Sequence, residues 1–129
     1  MTKYCLDTNY ILRFLLDDIK EQSLEVEKLL ESALIKKSEI YISIIVQMEL
    51  IYVLSSFYKE SKLEIYKIMK KLYDMNFIGF EYKEIMLESI DKYLDHNISI
   101  QDSFLLTLSK KNTMELKTFD KKLLVVFKK

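Results

Sequence analysis

The sequence has no proline, one glycine (Gly79), one cysteine (Cys5) and one histidine (His96). With a single glycine, neither a GxGxxG turn nor a P-loop can be built, so glycine-rich phosphate cradles are excluded. With a single cysteine no internal disulfide can form, and the expected role of Cys5 is that of a small core residue in a first strand. One histidine and one cysteine supply no zinc-type cluster, and His96, in a loop, has no partner. Net charge is also missing: 20 Lys and Arg balance 20 Asp and Glu. That removes any general attraction for nucleic acid while leaving room for a local basic groove. Long uncharged apolar runs are absent. The best, Ile40 to Phe57, carries Gln47 and Glu49 near its centre, and an acid there would cost about 2.5–3.5 kcal/mol in a bilayer. The N-terminus reaches Asp7 too soon for a signal peptide. The expectation is a cytoplasmic protein with no membrane span.

What is present is a folding chain. Half of its 129 residues are apolar, which is enough for a hydrophobic core in one domain, residues 1–129. The stretch Leu6-Asp7-Thr8-Asn9 organises the start. Tyr4-Cys5-Leu6 reads as a short buried strand, and Tyr10-Ile11-Leu12 with Phe14-Leu15-Leu16 as a packed helix. A second helix is expected from about Glu21 to Lys36. Ile40 to Ile44 is a second buried strand, followed by a third helix to Phe57 with Ser43 as its cap. Ser61-Lys62-Leu63-Glu64 fits a capping box for a fourth helix to about Tyr73. Asn76 to Phe80 is a short strand and Lys83 to Leu94 a fifth helix. Ser99-Ile100-Gln101-Asp102 is a second capping box, opening a sixth helix to about Lys111. Glu115 to Thr118 is expected as a brief strand, with Leu123 to Phe127 a terminal apolar segment. Strands alternating with helices give an α/β class, with a parallel sheet covered by helices on both faces.

Most acids alternate with lysines and read as solvated helix faces. Four stand apart. Asp7 lies between an apolar strand and an apolar helix. Glu49 has Ile45, Val46, Tyr52 and Val53 one turn away, which places it on a buried face, where an unpaired charge is costly. Asp102 has Ile98, Leu105 and Leu106 one turn away. Asp120, in Thr118-Phe119-Asp120, follows an expected strand as Asp7 does. Each has a plainer reading: Asp7 and Asp120 as turn caps, Asp102 as the N3 residue of its capping box with Ser99, Glu49 as half of a buried pair. In a parallel α/β sheet, however, all four can converge at one edge. Crowded carboxylates repel unless a cation neutralises them. Hard oxygen donors without Cys or His select Mg²⁺ or Mn²⁺. Such a site can activate water and steady a departing oxygen in phosphodiester hydrolysis.

Four segments carry a family resemblance: Leu6-Asp7-Thr8-Asn9-Tyr10-Ile11-Leu12, Gln47-Met48-Glu49-Leu50, Ile98-Ser99-Ile100-Gln101-Asp102-Ser103 and Thr118-Phe119-Asp120-Lys121-Lys122. In this order and spacing they resemble the PIN-domain ribonucleases, most closely the VapC-type toxins of type II toxin–antitoxin systems. The resemblance implies a three-layer sandwich with a parallel four- to five-stranded sheet flanked by helices. It implies a metal-dependent endoribonuclease with Asp7, Glu49, Asp102 and Asp120 as catalytic, metal-binding acids, and Thr8, Asn9 and Thr118 as hydrogen-bonding residues that orient them. It further implies Mg²⁺ or Mn²⁺ as cofactor, an RNA substrate, a cognate antitoxin and a homodimer, with the partner surfaces between Leu50 and Tyr73. Arg13, Lys110, Lys111, Lys117, Lys121 and Lys122 are the candidate RNA contacts. The sequence departs from the family pattern at Ser103, where alanine is usual, and at Asn112, where glycine is common. With little chain after Asp120, a fifth strand would be short or missing.

Two rival classes fit poorly. A receiver-type signalling domain needs paired acids after the first strand and a late lysine followed by proline, and there is no proline. A haloacid-dehalogenase-type phosphatase needs a second aspartate where Asn9 stands. A PIN-like module that binds RNA or protein without cutting remains the alternative.

Overall fold

A computed structural model describes residues Met1–Lys129. Three strands and seven helices follow one another as β1 (Thr2–Cys5), α1 (Thr8–Leu16), α2 (Lys20–Leu34), β2 (Ser38–Ile42), α3 (Ile44–Ser56), α4 (Lys62–Tyr73), β3 (Ile78–Phe80), α5 (Lys83–Asp95), α6 (Ile100–Lys111) and α7 (Lys121–Lys128). The strands pair in parallel in the order β1-β2-β3, with Cys5 opposite Tyr41 and Tyr41 opposite Gly79. Parallel neighbours need a crossover between them, and the pairs α1–α2 and α3–α4 supply it.

Local chemistry sets the helix starts. The hydroxyls of Ser43, Ser61 and Ser99 accept the N–H groups of Val46, Glu64 and Asp102 at 3.3, 3.1 and 3.0 Å. Each such cap stabilises its helix by about 1 kcal/mol. Ile40, Ile42, Ile78 and Phe80 present one face of the sheet to the core. Leu50, Ile51 and Leu54 of α3, Ile65 and Met69 of α4, and Met86 and Ile90 of α5 are buried with them. Ser103 is fully buried, but its hydroxyl donates to the Ser99 carbonyl at 2.8 Å, so serine here leaves no polar group unpaired.

Four expectations fail. The sheet has three strands rather than four or five. Glu115–Thr118 is irregular rather than a strand, and the terminal apolar segment Leu123–Phe127 forms part of α7. The physical reason lies at Asp120, whose carboxylate accepts the Leu123 N–H at 3.1 Å and starts a helix. Lys121 and Lys122, both good helix formers, follow it. Helices also cover only one face of the sheet: Lys3, Cys5, Glu39, Tyr41 and Gly79, which share the other, are exposed. Finally, β1 is an edge strand and every residue in it is exposed. Cys5 is therefore a surface thiol and not a core residue.

Candidate functional site

Asp7 follows β1 at the carboxyl end of the sheet, the side on which α/β proteins bind ligands. Its Oδ1 accepts the Tyr10 N–H at 2.8 Å and caps α1. The remaining carboxylate capacity faces solvent, since Asp7 is exposed. It borders two clefts. One, of about 600 Å³, runs beside the free edge of β1 and is lined by Tyr4, Cys5, Tyr10, Glu25 and Lys28. The other, of about 280 Å³, lies between α1 and α2 and is lined by Asn9, Arg13, Gln22 and Glu25. The Tyr10 hydroxyl donates to Glu25 at 2.9 Å. Desolvation, then Glu25, pushes its pKa up to about 12.

Glu49 is exposed, not buried. Of the four apolar neighbours that suggested a buried face, Ile45 and Tyr52 face solvent, at 73% and 62% exposure, and Val46 and Val53 are only half-buried. The helix buries Gln47, Leu50, Ile51 and Leu54 instead. Asp102 is half-buried in the first turn of α6, with its backbone N–H on Ser99. Asp120 is exposed and caps α7, and its own N–H donates to Thr118 Oγ1 at 3.0 Å. Thr118 thus holds the backbone of Asp120. Thr8 is buried at the start of α1, and Asn9 is exposed beside Asp7.

None of the five ion pairs in the molecule uses any of these four acids. Their oxygens are the right donors for a hard divalent ion. The arrangement is less complete than the donor chemistry: no three Asp, Glu, His or Cys side chains are grouped closely enough to hold a metal ion. Among the cationic candidates, Arg13 pairs with Asp18 at 3.2 Å, Lys111 with Glu88 at 2.8 Å, and Lys110 lies over the Phe127 ring at 5.5 Å. Lys117, Lys121 and Lys122 are exposed.

A fifth acid, Glu81, escaped the sequence reading. It follows β3 as Asp7 follows β1, and that placement was the available signal. Its Oε1 accepts the Ile44 N–H at 2.8 Å, at the start of α3. Gln47 completes the same edge. Fully buried, it donates through Nε2 to the carbonyls of Ile42 at 3.1 Å and Glu81 at 2.9 Å. Its Oε1 accepts the Tyr73 hydroxyl at 2.7 Å. Burial pushes the Tyr73 pKa well above the ordinary tyrosine value. One side chain thereby ties the ends of β2 and β3 to α4.

No helix is long and apolar enough to cross a membrane. No curated protein and no solved structure gives a significant match to the chain. The family profile described as "PIN domain" matches residues 4–128. The parallel α/β core agrees with that match, and the chain belongs to the PIN-domain family, whose members are generally nucleases.

Proposed function

We propose that this chain is a metal-dependent endoribonuclease that folds as a single domain, and that Asp7, Glu49, Asp102 and Asp120 supply the carboxylates for an Mg²⁺ or Mn²⁺ ion. The observation that carries the reading is Asp7. In a PIN-family chain it stands at the carboxyl end of a strand, exposed between two clefts and free of any cation partner. Asp102, at a helix start, and Asp120, at another, share that lack of a partner. A divalent ion held by these carboxylates would activate water and steady a departing oxygen. Carboxylates repel one another unless a cation neutralises them, so the proposal requires ion binding to draw the acids together. Thr8, Asn9 and Thr118 would then orient them.

The toxin role, with a cognate antitoxin and a cytoplasmic location, is supported by the ordered motifs. A homodimer is supported by Ile45, Tyr52 and Phe57, which leave α3 and its end with exposed apolar side chains. A small reading frame for a DNA-binding protein directly upstream would support the toxin role, and its absence would count against it.

The second reading, a PIN fold that binds without cutting, is favoured by the ungrouped acids. Incubation of total cellular RNA with purified protein in Mg²⁺, Mn²⁺ or EDTA separates the two. Discrete fragments that require the metal establish the nuclease; intact RNA in every condition, from folded protein free of antitoxin, counts for the binding module or for a very narrow substrate.

A further inference from the structure

Lys62, the first residue of α4, is held unusually for a lysine. Its ammonium donates to three backbone carbonyls, Tyr93 at 2.8 Å, His96 at 2.9 Å and Ile98 at 2.9 Å. It also lies 4.2 Å from the centroid of the Tyr93 ring. No carboxylate pairs with it. The side chain is half-buried, and desolvation lowers its pKa. The three carbonyls belong to the last turn of α5, its C-cap and the turn that follows. Helix C-termini leave such carbonyls unpaired and favour a cation. The next residue, Ser99, caps α6 and accepts the Asp102 N–H. One ammonium therefore fixes the backbone on which the Asp102 cap is built.

We propose that Lys62 is a positioning residue for Asp102: its three-carbonyl grip locks the α5–α6 turn and so sets where the Asp102 carboxylate is presented to a divalent ion. This rests on the reading of Asp102 as a metal-binding acid. The grip is specific to a compact ammonium. A planar guanidinium cannot direct three donors to converging oxygens in the same space, and an apolar side chain leaves three carbonyls without a partner.

The test is Mn²⁺ affinity of the full chain, measured by electron paramagnetic resonance of free Mn²⁺ at a temperature where every variant is folded. Lys62→Met and Lys62→Arg are expected to bind Mn²⁺ about 10- to 100-fold more weakly, as when a group that orients a metal ligand is lost. Tyr66→Phe removes a different α4–α5 bond, Tyr66 to Asp91 at 3.0 Å, and is expected to bind as the parent does. In Lys62→Ala, methylammonium should restore affinity and tetramethylammonium should not. If Asp102→Asn weakens Mn²⁺ binding while Lys62→Met and Lys62→Arg do not, the positioning role alone is overturned. If Asp102→Asn has no effect, the assignment of Asp102 as a ligand falls, and this proposal with it. Equal losses in Tyr66→Phe and Lys62→Met would reduce Lys62 to general stability and overturn the proposal.

Discussion

Asp7 and Asp120 occupy matching places in two different regions. Each accepts the N–H three residues on and starts a helix. Behind Asp7 lies β1, hydrogen-bonded along its length to β2, with the Leu6 N–H donating to the Tyr41 carbonyl at 3.2 Å. Behind Asp120 lies irregular chain, and ahead of it a helix with one buried residue, Leu123. The same cap therefore rests on a sheet in one case and on a weakly packed tail in the other. Position at a helix start is local chemistry, whereas the rigidity behind a carboxylate comes from what its backbone is paired to.

The largest expected effect is on cleavage. Asp7→Asn should reduce RNA cleavage about 100-fold or more, the scale at which a group acting in the transition state is lost. Asp120→Asn should cost about tenfold, and equal losses would erase the distinction between the two regions. Next comes stability. Gln47→Leu leaves two carbonyls and the Tyr73 hydroxyl unpaired, and should lower unfolding free energy by about 3 kcal/mol in urea. Leu123→Ala should cost about 2 kcal/mol, at the low end for a buried leucine. Amide exchange should follow the same order, with Lys121–Lys128 exchanging faster than Ile44–Ser56. The smallest effect is alkaline. Folding raises the Tyr10 pKa from 10.0 to about 12, so the native state holds its proton more tightly than the unfolded chain does. That stabilisation is complete below pH 10 and is lost as pH rises towards 12. Tyr10→Phe should flatten this part of the stability profile.

The sequence made the middle of the chain legible because serine caps and apolar periodicity act over a few residues. Ser43, Ser61 and Ser99 each start a helix where expected. Glu49 misled because α3 is apolar on most of its circumference: apolar neighbours one turn away do not reveal which side faces inward, and Ile45 and Tyr52 face out. Cys5 misled because it lies on the face of the sheet that no helix covers, shared with Lys3, Glu39, Tyr41 and Gly79, and because β1 is an edge strand. Glu115–Thr118 had a strand-like composition but found no pairing partner. The acids themselves could be named, since an acid following an apolar strand is visible in sequence. Their mutual distances depend on long-range packing and could not be read from it.

Whether these acids hold a divalent ion is decided by thermal unfolding in EDTA and in Mn²⁺, for the parent and for Asp7→Asn. Ligand that binds only the native state stabilises it by about 2.7 kcal/mol at 100 times its dissociation constant. Mn²⁺ should raise the melting temperature of the parent, and the rise should be lost in Asp7→Asn. An equal rise in both proteins, or none in either, would contradict ion binding by these acids.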